Sequence, residues 1–317
     1  MTKPLLYRVT NIGAEIALRP FQVCNLVEIN GALINNQDDL NNAAKAASFI
    51  ATLQAGYTDF HYLREIWRET TEKDALLGVS ITGLANTNLL SLDFNEASAE
   101  VFDINSRISA LIGINIAARQ TTVKPAGTTS LVLGTSSGIH SYHSKYYIRR
   151  IRLTNGEAIT DYLKGYHPEL LEEDTLNKDN WILSVPQKAP EGAITRDETA
   201  IDLLERVKMI YTDWIKPGHY DGDNTHNVSC TVSVRDDEWD TVRDWMWVNK
   251  DYYTGISVLP YDVGSYTQAP FETIDKSKYE EMVKHLHNID LTKIVEIEDG
   301  TDQKGEIACG GGSCEIT

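Results

Sequence analysis

Two cysteines near the end of the chain, Cys309 and Cys314, are separated by three glycines and a serine. Neighbouring thiols can close a disulfide or exchange one with another thiol pair. Glycine leaves the intervening backbone with little conformational preference, and segments close to a chain end are commonly mobile. The pattern is typical of a dithiol that carries electrons into a site, although a terminal segment with two incidental cysteines has the same spacing.

A second set of candidate residues combines one glycine with three hydroxyl side chains: Gly127, Thr128, Thr129 and Ser130. A glycine lets the backbone approach a ligand closely, and the free N–H groups at a helix start favour an anion such as phosphate. Serine and threonine also cap ordinary helices, so a purely structural helix start fits the same residues. A glycine turn over 134–138 follows and is expected to shape the same pocket.

Three more candidates lie near the start of the chain: Asn11, Glu15 and Cys24. Glu15 precedes the apolar residues 16–18, where burial would make its carboxylate a candidate acid or base. A solvated glutamate at a strand edge is the simpler alternative. Cys24, taken alone, is best interpreted as a buried structural thiol.

Other conspicuous side chains have plainer interpretations. No cysteine or carboxylate falls at metal-ligand spacing beside His140, His143 or His226, so no metal site is predicted. Cys230 is expected to be a small core residue within a strand. The tryptophans of the stretch 237–249 are expected to pack into the core, and they are Trp239, Trp245 and Trp247.

Composition restricts the class of protein. The chain has 317 residues, 42% of them apolar, which is enough for one large domain or two ordinary ones. A net charge of −17 argues against a general nucleic-acid or membrane-surface binder. No apolar run is long enough to span a membrane, and the first residues do not resemble a signal peptide. Four cysteines are few, which favours a reducing compartment, so we expect a cytoplasmic protein.

The elements that must position these residues alternate along the chain. Apolar periodicity predicts helices over 38–69 with an interruption at Gly56, and over 95–119, 197–216, 237–249 and 275–288. Strands rich in β-branched residues are predicted over 77–84, 121–125, 146–153, 228–234 and 255–260. This alternation predicts an α/β fold with parallel strands, and five strands suit an open sheet or part of a barrel.

Several long motifs occur in an order that resembles the catalytic chain of ribonucleotide reductases. The similarity is greatest to the adenosylcobalamin-dependent class II enzymes, and it covers residue 11 to the C-terminus, about the C-terminal half of such a chain. The motifs that carry the resemblance are Glu15–Asn30, Tyr57–Leu63, Lys124–Leu131, Ser137–His140, Tyr147–Arg150 and Leu259–Tyr261.

The resemblance implies one half of a ten-stranded α/β barrel over 13–288 and a redox-active tail over 289–317. It implies radical reduction of ribonucleotides, in which Glu15 assists proton transfer at the 3′ hydroxyl and Asn11 binds the substrate. Cys24 would be one member of the reducing cysteine pair. Residues Gly127, Thr128, Thr129 and Ser130 would hold the substrate phosphates. Cys309 and Cys314 would re-reduce the pair and be restored by thioredoxin or a similar donor.

One position departs from the family. The finger loop of the family reads Asn-Pro-Cys-x-Glu, whereas this chain has glycine, Gly13, where the radical cysteine stands. We therefore expect no activity from this chain alone. The favoured explanation is a split enzyme, in which residues 1–12 are a leader unlike the family and a second chain supplies the N-terminal half. The alternative is a non-catalytic remnant that keeps a nucleotide-binding or scaffold role.

A class I large chain is the other enzymatic alternative. Such chains pass the radical through an adjacent tyrosine pair near the C-terminus. Here Tyr261 and Tyr266 are separated, and the adjacent pair Tyr252–Tyr253 precedes the last predicted strand. The tyrosines therefore favour class II.

Overall fold

The computed structural model describes residues 9–10, 15–261, 267–286 and 288–295, with side chains from residue 15 onward. The described residues fall into two compact units. The first lies within Met1–Ser141 and Glu198–Tyr261, and the second within Tyr142–Asp197 and Asp262–Thr317. The sequence predicts a single half-barrel over 13–288. It does not predict this division, because no change of composition marks the borders of the two units.

Ten strands are described: β1 Val9–Thr10, β2 Ala17–Leu18, β3 Asn25–Asn30, β4 Leu77–Thr82, β5 Tyr146–Thr154, β6 Leu171–Glu173, β7 Asn180–Lys188, β8 Thr231–Val234, β9 Ser257–Pro260 and β10 Phe271–Thr273. The described α-helices are α1 Gln37–Ala55, α2 Glu65–Asp74, α3 Thr87–Leu90, α4 Phe94–Ile112, α5 Gly127–Leu133, α6 Ala158–Tyr166, α7 Ala200–Ile210, α8 Trp239–Val248 and α9 Lys276–Leu286. A π-helical turn, Tyr211–Ile215, continues α7. Short 3-10 turns cover Gly31–Leu33, Pro168–Leu170, Lys250–Tyr252 and Leu291–Lys293.

Parallel strand pairing organises the first unit. β3 pairs in parallel with β4, and β8 pairs in parallel with β9. Parallel bridges Val79–Thr121 and Val123–Val228 connect these two pairs through the segment 119–123. Five chain segments therefore follow one another in the order β3, β4, 119–123, 228–234 and β9. The predicted α/β fold with parallel strands is confirmed.

The two faces of this parallel arrangement differ in character. Alternate residues such as Val27, Val79, Val123 and Val232 pack with α1, α4 and α7 in the main core. Because side chains alternate along a strand, the residues between them point to the opposite side. We call that side the polar face. On β3, β4 and the segment that follows them in the sheet, its residues include Cys24, Glu28, Ser80, Thr122 and Lys124.

Two predicted helices differ from the observed ones in their bounds. The helix predicted over 95–119 ends at Ile112, because Gly113 takes a left-handed φ of 76° and its N–H donates to the carbonyl of Ser109. The helix predicted to resume at Tyr57 begins only at Glu65. None of the described helices is long and apolar enough to cross a membrane.

The second unit is built on an antiparallel sheet with the order β10, β5, β7, β6. Its β5 confirms the strand predicted over 146–153, whereas β7 lacks a prediction because Pro186 and its polar neighbours obscure the pattern. The expectation for the tryptophans of α8 is wrong in part. Trp245 is buried, but Trp239 and Trp247 are 40% and 76% exposed: Trp239 is the first residue of α8, and Trp247 points away from the face that Val242 and Trp245 turn to the core.

Candidate functional site

The backbone beside Glu15 is fixed by two distant parts of the first unit. The carbonyl oxygen of Glu15 accepts hydrogen bonds from Thr122 Oγ1 at 2.8 Å and from the Asn227 N–H at 3.0 Å. The side chain of Glu15 is 2% exposed, and within the described residues its Oε2 atom has no hydrogen-bond partner. The solvated strand-edge alternative is therefore wrong, and Glu15 is a buried carboxyl group with an oxygen free to bind.

A buried histidine holds the next part of the same segment. His226 Nδ1 accepts a hydrogen bond from the Ala17 N–H at 3.3 Å, and Nε2 lies 2.8 Å from the carbonyl oxygen of Leu77. Burial and the nearby charge of Arg119 lower the pKa of His226 to about 3. The imidazole is therefore neutral at physiological pH, with Nε2 as the donor. This role depends on contacts between remote parts of the chain, and the sequence gives no signal of it.

Cys24 lies just before β3 on the polar face. It is half-buried and packs against the small apolar cluster of Ile16, Leu76 and Ala118. Burial and the charge of Glu15 raise the pKa of the Cys24 thiol to about 11, and Lys124 acts in the opposite direction. The thiol is therefore protonated at neutral pH, which suits a donor of hydrogen and electrons better than a thiolate nucleophile.

The chain that leads into Cys24 is held by a buried carboxylate. Gln22 Nε2 donates to Asp74 Oδ2 at 2.9 Å, and Arg119 Nη2 pairs with the same oxygen at 3.3 Å. The Val23 N–H donates to Thr71 Oγ1 at 3.4 Å. These contacts tie the approach to Cys24 to the end of α2 and to the segment 119–123.

Glu28 is a site residue that the sequence analysis misses. It lies directly opposite Ser80 in the β3–β4 pair, and Ser80 Oγ donates to Glu28 Oε1 at 2.9 Å. Burial, with a smaller contribution from the charge of Glu15, raises the pKa of Glu28 to about 7, while Ser80 and Lys124 oppose the shift. A glutamate between Val27 and Ile29 could have signalled it, because alternation places it on the face opposite to the apolar core.

The segment of the predicted phosphate loop starts a short helix. α5 begins at Gly127, and its N-cap is Ala126, which has no side chain able to cap the first N–H groups. Ser130 is buried and its hydroxyl donates to the Gly127 carbonyl at 3.0 Å, whereas Thr128 is exposed. The hydroxyls therefore do not cap the helix start, and its first N–H groups have no intrahelical partner.

The following glycine turn packs against the beginning of this loop. Gly138 has a φ of 53°, and a Cβ at this position would overlap the carbonyl oxygen of Lys124. The Gly138 N–H donates to Thr82 Oγ1 at 2.8 Å. The turn thus connects the end of β4 to the loop.

The histidines and Cys230 have structural surroundings. His140 has Nδ1 3.1 Å from the Ser137 carbonyl, and its Nε2 accepts from the Thr231 N–H at 3.0 Å. Cys230 is buried in the main core, as predicted, and burial raises its pKa to about 12. In the parts of the chain with described side chains, no group of three histidine, cysteine or acidic residues could hold a metal ion.

The structure thus brings together part of the predicted site. Glu15 and Cys24 lie close enough for their charges to interact, and both Cys24 and Glu28 interact with Lys124 at the start of the loop 124–130. Five positions discussed from the sequence lie outside the described residues: Asn11, Gly13, Tyr266, Cys309 and Cys314.

Comparison with known proteins confirms the predicted resemblance. No protein-family profile matches the chain. Adenosylcobalamin-dependent ribonucleoside-triphosphate reductases of Lactobacillus acidophilus and Lactobacillus delbrueckii subsp. bulgaricus are 27% and 28% identical over 344 and 354 residues. Each match covers 97% of this chain but 45% of the relative, so the chain spans slightly less than half the length of these enzymes.

Solved structures give the same result. A crystal structure of a B12-dependent class II ribonucleotide reductase matches with a TM-score of 0.74 and 25% identity, covering 87% of this chain and 42% of the other. The class Id ribonucleotide reductase α subunit of Actinobacillus ureae matches with a TM-score of 0.51 and 12% identity over 81% of this chain and 54% of that chain. The second likeness concerns the fold alone.

Proposed function

We propose that this chain is the C-terminal part of the catalytic portion of an adenosylcobalamin-dependent ribonucleotide reductase, which converts ribonucleoside triphosphates to 2′-deoxyribonucleotides. The observation that carries the proposal is the buried carboxyl group of Glu15, whose charge acts together with that of Lys124 on the thiol of Cys24. The substrate class, ribonucleoside triphosphates, is taken from the names of the relatives. The more distant likeness to a class Id subunit gives no comparable support for the class I alternative.

The five parallel segments of the first unit support the half-barrel. An arrangement that ends at β3 and β9 leaves backbone N–H and C=O groups at its edges, and such edges favour pairing with further strands. In our proposal the remaining part of the reductase, on the same or another polypeptide, supplies the strands that pair with these edges. A ten-stranded barrel would then enclose the polar face.

Glu15 is proposed as the acid–base group. Its buried carboxyl group exchanges a proton with the 3′ hydroxyl of the ribose while hydrogen is removed from the 3′ carbon. The clamp on its backbone by Thr122, Asn227 and His226 keeps the carboxyl group in place without using its own oxygens. Asn11 is proposed to hydrogen-bond the same substrate.

Cys24 is proposed as one of two thiols that reduce the substrate. The two thiols together give two electrons and two hydrogens, become a disulfide, and the 2′ hydroxyl leaves as water. The second thiol of this pair belongs to the remaining part of the reductase. Cys309 and Cys314 would then reduce the disulfide by thiol exchange and be restored by a thioredoxin-like donor.

The loop over 127–130 is proposed to hold the substrate phosphates. The Gly127 N–H donates to the Pro125 carbonyl at 3.1 Å, so the N–H groups of Thr128 and Thr129 are the ones proposed to bind, and Lys124 adds a positive charge at the start of the loop. Gly127 allows close approach of the backbone, and the hydroxyl of Thr128 is exposed and available. The contributing residues are Gly127, Thr128, Thr129 and Ser130.

The names of the relatives give adenosylcobalamin as their cofactor, and when bound it would provide the initial radical. His140 and His226 have both ring nitrogens in hydrogen bonds, so neither fits the role of a cobalt ligand. We therefore assign no residue of this chain to the cofactor and derive no step through it.

Gly13 favours a second candidate function. Glycine has no side chain that could host a radical, so the radical cysteine must come from elsewhere or the chain is a non-catalytic nucleotide-binding protein.

Isothermal titration with a ribonucleoside triphosphate tests the binding shared by both candidates. We expect binding that weakens when Lys124 is replaced by methionine. A chain that binds no ribonucleotide, alone or with the N-terminal part of a class II reductase, would contradict both.

A further inference from the structure

Glu28 is tied through one side chain to the start of the proposed phosphate loop. Ser80 is fully buried, and its hydroxyl donates to Glu28 Oε1 at 2.9 Å and accepts from the Lys124 N–H at 3.0 Å. This bridge fixes the carboxyl group of Glu28 relative to the backbone of Lys124. Glu28 is thus a carboxyl group of the polar face, and the charge of the buried Glu15 acts on it.

The charged and titratable groups around Glu28 come from every neighbouring segment. β4 contributes the neutral hydroxyl of Ser80, the segment after 119–123 contributes the ammonium of Lys124, and the segment before β2 contributes the carboxyl group of Glu15. Lys124 is the group of opposite charge in this set, so an ionised Glu28 acts mainly on Lys124.

We infer that Glu28, held by Ser80, is a specificity-determining group whose charge state sets how strongly Lys124 attracts an anionic substrate. The inference rests on the proposed function, because it takes the anion to be the phosphates of a ribonucleotide. When Glu28 is neutral, the charge of Lys124 is available to the phosphates. When Glu28 is ionised, it competes for that charge and repels the ligand.

The pH range of the effect follows from the surroundings of Glu28. Burial raises its pKa from an ordinary value near 4.5 to about 7. At pH 6 the carboxyl group is mostly neutral, and at pH 8 it is mostly ionised. Phosphate groups gain negative charge over part of the same range, since their last ionisation lies near pH 6. A variant that lacks only the carboxylate is therefore the necessary reference.

The test is isothermal titration of the full chain with a ribonucleoside triphosphate at pH 6 and at pH 8. The proteins are the wild type, Glu28→Gln and the charge-matched control Glu69→Gln, whose side chain is exposed on α2. We expect equal affinities at pH 6 and about fivefold tighter binding by Glu28→Gln at pH 8, as one screened charge contact predicts. The control should match the wild type at both pH values.

A second variant keeps the test decisive if Glu28→Gln fails to fold. Ser80→Ala removes a hydrogen bond that favours the ionised form, so the decline of affinity should move to higher pH. Equal pH dependence in all variants would overturn the inference but leave the proposed function intact. No binding by any protein at either pH would instead contradict the proposed phosphate site.

Discussion

The hydroxyl of Thr122 donates a 2.8 Å hydrogen bond to the backbone carbonyl of Glu15, across 107 residues of sequence. It fixes the segment of a candidate catalytic carboxyl group to the middle of the parallel sheet. Thr122→Val should lower the free energy of unfolding by about 1–2 kcal/mol, because a buried carbonyl loses a partner. Thr122→Ser should retain most of the stability. Urea denaturation measures both, and a valine variant as stable as the wild type would contradict the clamp.

The proximity of Glu15 and Cys24 predicts a change in thiol reactivity. The pKa of Cys24 is raised to about 11, in part by the charge of Glu15. Glu15→Gln removes that charge and lowers the pKa, so alkylation by iodoacetamide at pH 9 should become several-fold faster. Mass spectrometry of the Cys24 peptide measures the rate, with buried Cys230 as the internal control. Equal rates in the two proteins would place the groups too far apart to interact.

Glu28 predicts a pH dependence of stability. Its pKa is about 7 in the folded chain and near 4.5 when unfolded, so the folded state binds the proton more tightly. The stabilising contribution is fully present below pH 4.5 and is lost as the pH rises through 7, by up to about 3 kcal/mol. The wild type should therefore lose more stability between pH 5 and pH 8 than Glu28→Gln. Parallel denaturation curves at the two pH values would contradict this prediction.

Two glycines of one turn provide a matched pair. A Cβ on Gly138 would overlap the carbonyl oxygen of Lys124, whereas a Cβ on Gly134 meets nothing within 4 Å, and both residues have positive φ. Gly134→Ala should cost about 1 kcal/mol from the backbone alone, and Gly138→Ala should cost at least about twice as much. Gly138→Ala should also weaken ribonucleotide binding. Equal costs for both variants would show that the turn does not support the loop.

Local sequence signals predict much of the framework but not the contacts between its parts. The strand at 77–84 and the helix at 237–249 are confirmed because short-range patterns determine them. The position of His226 against Leu77, 149 residues away, depends on strand order and register. The bridge from Glu28 through Ser80 to Lys124 likewise arises only once two strands are paired. The motif resemblance predicts Glu15 and Cys24 as site residues, and the fold explains the environment of each.

Adenosylcobalamin-dependent turnover of a ribonucleoside triphosphate tests the central proposal most directly. This chain is assayed alone and after co-expression with the N-terminal part of a class II ribonucleotide reductase, by measuring the 2′-deoxyribonucleotide formed. We predict no product from the chain alone, product from the combination, and loss of turnover with Cys24→Ser in the combination. A combination that assembles and binds ribonucleotide but forms no product, or that is unaffected by Cys24→Ser, would contradict the account.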